Sequence, residues 1–427
     1  MMTKPKVWHL FIAMCITLLI IRLTLIIDLM SLLFSTIILF VTDFKTAIGQ
    51  INFELVDYLI SGTLIIILPL AILFIFRKRK IFQAYFDFAS VVIAVLIFIF
   101  IFSPLIPEWH PDFQKNIGLT KLLPPMSSVN YLRLERIEEN NQSKLNEYLD
   151  LKHKVIKSSF DESIIFADSA QLGDRILYFQ NESEFELSSD SLKTNKTIPS
   201  MHKKYFLLGT DEYGRDVFSR LVYGARVSIF VGICSVLLSF FIGLLLGSAS
   251  GYFSGVVDLT LNRLTDTFLS FPTIFLIITI LALFGSSMVA VIFVLGFSGW
   301  MSLFKIVRSE VMSLKQKDFF ISAQMIGLSA KQLLMKEILP VILTPIIVNL
   351  VYLFGSVILA EAALSYLGLG TGSNHPSWGS MIDAGQNYLK DAWWMIFFPG
   401  LALIITLYSA NDLGQKIKVH FNPQLRK

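Results

Sequence analysis

Apolar and polar stretches alternate along the chain with the spacing of membrane helices. A helix rises about 1.5 Å per residue, so roughly 20 apolar residues cross the hydrocarbon core of a bilayer. The first apolar run is longer than one upright span needs, and Arg22 and Asp28 interrupt it. We therefore predict one span at about 8–27, with the rest of that run tilted or at the interface. Seven further spans are predicted, at about 58–76, 88–102, 227–250, 267–284, 288–304, 341–363 and 394–408.

A polar, charged stretch at residues 107–205 separates the third predicted span from the fourth. Its pattern predicts a helix over about 129–156 and strands near Ile164 and Ile176, where short apolar runs alternate. We expect a small α/β domain outside the cytoplasm, inserted between two spans. Scattered carboxylates on a solvated surface are common, so they do not indicate catalysis.

Composition agrees with a polytopic membrane protein. Of 427 residues, 54% are hydrophobic and 16% are charged, and 37 are phenylalanine. The net charge of +4 lies in patches: Lys4, Lys6, the basic run at 77–80 and Lys416 fall on one side when eight spans are counted. Positive loops favour the cytoplasm, so we expect both termini there. The two cysteines lie in separate apolar runs, which argues against a disulfide framework or a metal site.

The chain lacks the common sequence signatures of catalysis. It contains no Gly-Lys pair, which excludes a Walker A loop, and no HExxH or paired CxxC sequence. We therefore expect a protein that is not an enzyme and holds no cofactor of its own.

The segment at 319–340 predicts a short helix, a glycine turn and a second helix. Gly327 interrupts the first helix as a C-terminal stop, and Ser329 with Gln332 forms a capping box for the second, which runs to Pro340. An interfacial amphipathic connection is the alternative interpretation. The first helix is expected to have one apolar face, made of Phe320, Ala323, Met325, Ile326 and Leu328.

A second informative segment is LGTDEYGRDVFSRLVYGAR at 208–226. It predicts an amphipathic helix capped by Thr210 or Asp211. Acid and base four residues apart then predict two ion pairs, Asp211 with Arg215 and Asp216 with Arg220.

Inside the spans, small and polar residues suggest packing and transport roles. The stripe Gly243, Gly247 and Gly251 lets another helix approach closely, either in this chain or in a partner. Asn349 and Glu361 are candidates for a translocation path, because polar groups in spans tend to face an interior cavity. Alternatively, Asn349 bonds a neighbouring helix and Glu361 is hydrated at the outer interface. We also predict an ion pair between Arg263 and Asp266, and a helix kink at Pro272.

Three separated motifs resemble the permeases of ABC importers, in the oligopeptide, dipeptide and nickel branch. The family's cytoplasmic coupling loop is similar to 319–340, although Ile321 stands where the family usually has glutamate and Ser322 where it has the first alanine. The GTDxxGRD sequence at 209–216 is the second motif. The third consists of SYLGLG and PSWG in the loop after Ala363, which resemble the C-type subunit.

This resemblance implies an all-α polytopic membrane protein with a six-helix permease core. Residues 1–76 would be an N-terminal addition of about two spans, 77–106 the first core span, 107–205 the extracytoplasmic insert and 206–427 the other five spans. We use "coupling loop" for residues 307–340. The residues that the resemblance places at the ATPase contact are Ser322, Ala323, Met325, Ile326, Gly327, Leu328, Glu337, Leu339 and Pro340.

The resemblance also implies partners. These are a homologous B-type permease, two ABC ATPase subunits or domains that bind ATP and Mg, an extracytoplasmic substrate-binding protein, and membrane lipid, with no nucleic acid. The expected function is uptake of oligopeptides or dipeptides across a bacterial plasma (inner) membrane. A nickel or metal-chelate importer of the same family is one alternative, and a self-contained secondary transporter is another.

Overall fold

A computed structural model describes residues 6–78, 87–133, 144–156, 164–172, 176–180, 183–187, 200–372 and 375–421. Lys4, part of the basic run at 77–80 and the tail after residue 421 lie outside these ranges. Within them the protein is mostly helical with two small sheets, which confirms the predicted fold class.

The part of the chain described before the insert has five helices: α1 (Val7–Ile21), α2 (Leu23–Thr42), α3 (Phe44–Gln50), α4 (Phe53–Lys78) and α5 (Phe88–Phe102). The predicted span at 8–27 has the wrong bounds, because α1 ends at Ile21 and is capped by Arg22. This residue leaves helical geometry, with φ −110° and ψ 24°, and its Nη2 donates to the Ile106 carbonyl at 3.1 Å. The second helix, α2, has 20 residues and is itself long enough to cross a membrane.

The described residues of the insert contain α6 (Ile117–Thr120), α7 (Lys144–Ile156) and six strands. The strands are β1 (Ser127–Arg133), β2 (Ile164–Phe166), β3 (Ser169–Leu172), β4 (Ile176–Gln180), β5 (Ser183–Leu187) and β6 (Ser200–Phe206). They form two antiparallel sheets, of order β2-β1-β6 and β3-β4-β5.

The strands predicted near Ile164 and Ile176 are confirmed, but the helix predicted over 129–156 is wrong in its first part. Seven residues of β1 pair with β6, and the alternating Val129 and Tyr131 pack on an aromatic core that includes Trp109 and Phe166. Cross-strand pairing therefore outweighs local helix propensity. Its last part is present as α7, and residues 134–143 of the prediction lie outside the described ranges.

The remaining helices follow as a second group. They are α8 (Val217–Phe253), α9 (Gly255–Ser270), α10 (Thr273–Phe284), α11 (Met288–Leu314), α12 (Asp318–Met325), α13 (Ala330–Gln332), a π-helical turn (Leu333–Ile338), α14 (Leu339–Tyr366), α15 (Trp378–Gln386) and α16 (Trp394–Phe421).

Among the described residues, six helices are long and apolar enough to cross a membrane, or seven if α9 and α10 count as one broken span. Two shorter apolar helices of 15 residues, α1 and α5, overlap two more of the predicted spans, whereas α2 was not predicted as a span of its own. The helix predicted over 267–284 is broken by 84° just before α10, at Pro272, whose ring disfavours a continuous helix. Asp266 forms its ion pair with Lys305 rather than with the predicted Arg263.

The chain divides into two compact units. The first comprises Met1–Phe86, Ala94–Arg226 and Ala384–Pro399, and the second comprises Asp87–Ile93, Val227–Asp383 and Gly400–Lys427. Every candidate residue of the coupling loop, the glycine stripe and the proposed path lies in the second unit.

Candidate functional site

The glycine stripe of α8 packs on α11 of the same chain. A Cβ atom built on Gly243 would lie 2.9 Å from Leu303, and one on Gly251 would lie 2.8 Å from Val311. At Gly247 it would lie 2.8 Å from Val307 and 3.0 Å from the Phe304 carbonyl oxygen. No side chain larger than hydrogen fits at these contacts without displacing α11, so the two helices approach as closely as their backbones allow.

Two serines extend this contact. Ser235 donates to the Ile292 carbonyl at 3.2 Å and Ser239 donates to the Gly296 carbonyl at 2.6 Å. Residue numbers on α8 and α11 rise together along the contact, so the helices run parallel. The α8–α11 contact therefore continues in one register from Ser235 to Gly251.

Ion pairs tie α9 to the last turns of α11. The Arg308 guanidinium binds the Asp258 carboxylate in a fork, with Nη2 to Oδ2 at 2.7 Å, and Ser250 donates to the same carboxylate. Lys305 Nζ lies 2.6 Å from Asp266 and 2.8 Å from the Asn262 side-chain oxygen. A bidentate arginine–carboxylate pair fixes direction as well as distance. This end of α11 is thereby held before the chain enters α12.

The inner side of α12 is part of the bundle core. Phe320 and Ala323 are buried, and they belong to one apolar cluster with Val311 of α11 and with Leu333 and Ile338 of the following helix. The first helix of the loop is thus packed on the bundle through Phe320 and Ala323.

The outer side of α12 ends in an exposed apolar tip, Met325 and Ile326, each 82% exposed. The prediction of one apolar face is therefore wrong. Met325 follows Phe320 by five residues and is turned about 140° around the helix axis, so the two point in different directions. Ser322 is exposed and Leu328 is half-buried. The short helix has one face for the bundle and another for an external contact.

The predicted glycine turn is confirmed. Gly327 has φ +88°, its amide donates to the Gln324 carbonyl at 3.0 Å, and the Leu328 amide donates to the Ala323 carbonyl at 3.4 Å. These two bonds are those of a Schellman C-cap, which needs a residue with positive φ. A Cβ atom on Gly327 would meet nothing within 4 Å. Glycine is required here by conformation and not by space.

The predicted capping box is also confirmed. Ser329 Oγ accepts from the Gln332 amide at 3.4 Å, and Gln332 Oε1 accepts from the Ser329 amide at 2.9 Å. The boundary predicted between this helix and the next span is wrong, because Ala330–Tyr366 runs as one helix of 37 residues. Its π-helical turn ends just before Pro340. Proline offers no amide and clashes with the preceding turn, which a wider turn relieves.

The other predicted site residues lie along this long helix. Glu337 and Leu339 are half-buried near its start and Pro340 is exposed. The Asn349 side chain is half-buried, and its Oδ1 has no hydrogen-bond partner among the described residues. Glu361 is fully buried and accepts hydrogen bonds from Ser228 and Ser365.

The 208–226 segment folds differently from its prediction. The first helical residue of α8 is Val217, and Gly209 and Gly214 before it have positive φ. The pair of Asp211 with Arg215 is confirmed at 2.7 Å, but it spans a turn, in which the same carboxylate also accepts the Arg215 amide. Loop residues thus occupy the predicted first turns, because glycine favours left-handed turns over helix.

The second ion pair predicted in this segment, Asp216 with Arg220, is wrong. Asp216 accepts the Phe218 amide at the start of α8 at 3.2 Å. Arg220 instead pairs with Asp112 at 3.1 Å. A partner more than 100 residues away cannot be found from helical spacing.

Comparison with known proteins agrees with the resemblance to importer permeases. Residues 243–427 match the family described as binding-protein-dependent transport system inner membrane component. A putative peptide transport system permease protein of Brucella suis biovar 1 (strain 1330) is 37% identical over 220 residues, which are 52% of this chain and 74% of that protein.

Two relatives from Bacillus subtilis (strain 168) are similar over a comparable length. The dipeptide transport system permease protein DppC is 34% identical over 235 residues, covering 55% of this chain and 73% of that protein. The oligopeptide transport system permease protein OppC is 33% identical over 245 residues, covering 57% of this chain and 79% of that protein.

Proposed function

Because the chain belongs to the family of binding-protein-dependent transport system inner membrane components, we propose that it is the C-type permease subunit of an ATP-binding-cassette importer for peptides. It is a multi-pass membrane protein. Its role is to convert movements of a separate ATPase into movements of its spans.

The observation that carries this proposal is the two-sided α12. Phe320 and Ala323 fasten the helix to the bundle, while Met325 and Ile326 leave an apolar tip in the open. Exposed apolar groups beside a fixed support favour a protein contact. The Schellman turn and the capping box set the direction in which the tip points. This geometry supports docking of the coupling loop into a groove of the ATPase.

Energy for transport comes from the partner in this proposal. The ATPase subunits bind ATP and Mg, and the permease itself holds no cofactor and catalyses no reaction. Nucleotide-dependent closure of the ATPase shifts the bundle between two states only if the two states bind the ATPase with different affinity. The α8–α11 contact and the Arg308–Asp258 pair support transmission, because they hold the last turns of α11 and α9 together.

The remaining partners and the location follow from the same proposal. A homologous B-type permease completes the pathway, and an extracytoplasmic binding protein delivers substrate. The chain lies in the bacterial plasma membrane with both termini in the cytoplasm and the 107–205 insert outside. Asn349 is the path candidate whose side chain is not fully buried.

The substrate is proposed to be dipeptides or oligopeptides. The relatives reported above are named for transport of peptides, dipeptides and oligopeptides, and these names support a peptide over a nickel chelate. The binding protein does most of the selecting in such importers, so the assay for substrate belongs on that partner.

Co-purification tests the proposal. The full chain carries a C-terminal tag, and mass spectrometry identifies what is recovered with it. We expect an ATPase and a second permease in fixed proportion. The double variant Met325→Glu/Ile326→Glu should lose at least about tenfold of the ATPase, because two charges are placed in an apolar contact. The second permease should remain.

Met126→Glu is the matched control, since it changes methionine to glutamate at a 72% exposed position of the insert. It should recover the ATPase as the unmodified chain does. Recovery of the chain alone, in a detergent that preserves other such complexes, would favour a self-contained secondary transporter. Full ATPase recovery by the double variant would place docking elsewhere.

A further inference from the structure

Glu361 lies in a buried polar cluster near the end of α14. Its carboxylate accepts from Ser228 Oγ of α8 at 2.9 Å and from Ser365 Oγ at 2.8 Å. Ser377 donates to Ser365 at 3.2 Å, and the Trp378 amide at the start of α15 donates to Ser228 at 3.5 Å. The cluster therefore joins three elements, which are α8, α14 and the beginning of α15.

Burying the Glu361 carboxyl group in this cluster has a free-energy cost. Glu361, Ser228 and Ser377 are fully buried, and within the described chain the carboxylate has only hydroxyl partners and no basic one. A carboxyl group without a cation is costly inside a membrane protein and is tolerated where its geometry serves a function. Hydroxyl groups rotate to suit their acceptor, so three serines can follow the group as the helices shift.

The segment after α14 is packed closely against the same site. A Cβ atom on Gly379 would lie 2.5 Å from the Ala362 carbonyl oxygen, and one on Gly370 would lie 2.2 Å from Ser365 Oγ. On the two described sides of the connection between α14 and α15, Gly370 and the first turn of α15 thus pack on the last turns of α14. A movement of those turns must move the connection with them.

The other end of this helix is the coupling loop. From the Ser329 cap the chain is helical without a break to Tyr366. Glu361 is 32 residues beyond the cap, which corresponds to about 48 Å at the rise of a helix. One helix therefore reaches from the glycine turn at the exposed tip to the buried serine cluster.

We propose that Glu361 is a positioning residue for transport, which fastens the α14–α15 connection and α8 to the far end of the helix that begins in the coupling loop. The proposal rests on the proposed function, because the movement it transmits is that of a docked ATPase. In this proposal, the connection and the start of α15 move when the docked ATPase moves the coupling loop. Glu361 acts through Ser365, Ser377 and Ser228 and does not touch the substrate.

Hydrogen–deuterium exchange of the full chain, without any partner, tests whether Glu361 holds the start of α15 against α14. In Glu361→Ala we expect the peptide at 375–383, which contains the Trp378 amide, to exchange at least about tenfold faster than in the unmodified protein. Glu361→Gln keeps the shape and an acceptor, so it should restore exchange to within about twofold. Ser356→Ala is the control, since Ser356 lies on the same helix, is exposed, and donates to the Tyr352 carbonyl of its own helix.

Transmission is tested in the complex purified through the C-terminal tag, with and without a non-hydrolysable ATP analogue. In the unmodified protein and in Glu361→Gln, the analogue should change exchange of both the coupling loop and the 375–383 peptide. In Glu361→Ala it should change the coupling loop alone. A merely structural role of Glu361 would not separate the two responses.

The outcomes distinguish the two proposals. If the ATPase does not slow hydrogen exchange of the coupling loop, the proposed function fails. Exchange of the isolated chain still shows whether Glu361 holds the start of α15. If the coupling loop is protected and the 375–383 peptide of the unmodified protein does not respond, transmission through Glu361 is overturned. Equal exchange in Glu361→Ala and the unmodified chain would overturn the fastening itself.

Discussion

The α8–α11 contact and the turn after α12 both depend on glycine, and the second unit contains them both. At Gly247 the backbone is ordinary helix and the space is full, since Val307 and the Phe304 carbonyl stand where a Cβ would go. At Gly327 the space is empty and the backbone has φ +88°. In the first case glycine removes volume, and in the second it permits a conformation.

This difference matches the roles that we propose for the two regions, transmission for the α8–α11 contact and ATPase docking for the turn. Close packing makes the bundle transmit displacement, because an interior at that density cannot absorb a shift locally. The turn instead leaves its surroundings open, which keeps the Met325–Ile326 tip available to a partner. The same residue type therefore marks a rigid contact in one place and an exposed surface in the other, and substitutions can tell them apart.

The largest effect is expected from Gly247→Leu. Its side chain must displace α11 over a contact that includes a backbone carbonyl, which overpacks the bundle. We expect little folded protein in the membrane, measured by fluorescence-detected gel filtration of a tagged chain. Gly400→Leu is the matched control, because a Cβ at Gly400 meets nothing within 4 Å. Equal accumulation of the two variants would contradict close packing of α8 on α11.

The next effect is expected from Phe320→Ala, which empties the inner face of α12. Removing a buried phenylalanine costs about 3 kcal/mol or more. We expect faster hydrogen exchange across α12 and weaker ATPase recovery, with the rest of the bundle unchanged. The neighbouring Phe319→Ala removes a ring that is 42% exposed and should have little effect. If both variants behave alike, the loop has no preferred inner face.

A smaller effect is expected from Gly327→Val. Forcing a β-branched residue into the left-handed region costs about 1–2 kcal/mol, so the turn should open without a clash. Transport should be uncoupled while the protein still accumulates in the membrane. Gly327→Asn should keep most activity, because asparagine tolerates this conformation. Normal substrate uptake by the valine variant would count against a role of this turn in docking.

The smallest effect is expected from Ser329→Ala, which deletes one half of the capping box. Loss of such a cap costs about 1 kcal/mol. The first turn of the helix beginning at Ala330 should exchange faster, and ATPase recovery should fall only slightly. Ser329→Asp keeps a capping oxygen and should restore protection. No change in exchange with alanine would show that the cap is not needed to hold the turn.

Local patterns in the sequence predicted the features that depend on few neighbours. The Gly327 stop, the Ser329 capping box, the break at Pro272 and the strands near Ile164 and Ile176 are confirmed. Each is decided within a few residues by backbone conformation, by a hydrogen bond of short range or by alternation. The family resemblance rested on the same kind of local motif, and the relatives confirm it.

Local patterns failed where a distant partner decides the outcome. The helix predicted at 129 became β1 because β6 pairs with it, and Arg220 pairs with Asp112 instead of Asp216. Apolar character alone could not divide α12 into a buried and an exposed side. Only the packed bundle shows that Phe320 faces it and Met325 does not.

The sequence by itself therefore determined the membrane class, most of the helices, the glycine turn and the family, because periodicity, capping and motifs are short-range properties. The tertiary structure decided three further points: that the glycine stripe packs on α11 of the same chain, that the loop helix continues into α14, and that Glu361 bonds serines of α8 and of the segment before α15. These depend on contacts between residues far apart in the chain. Such contacts are set by the shape of the packed bundle, which no local pattern specifies.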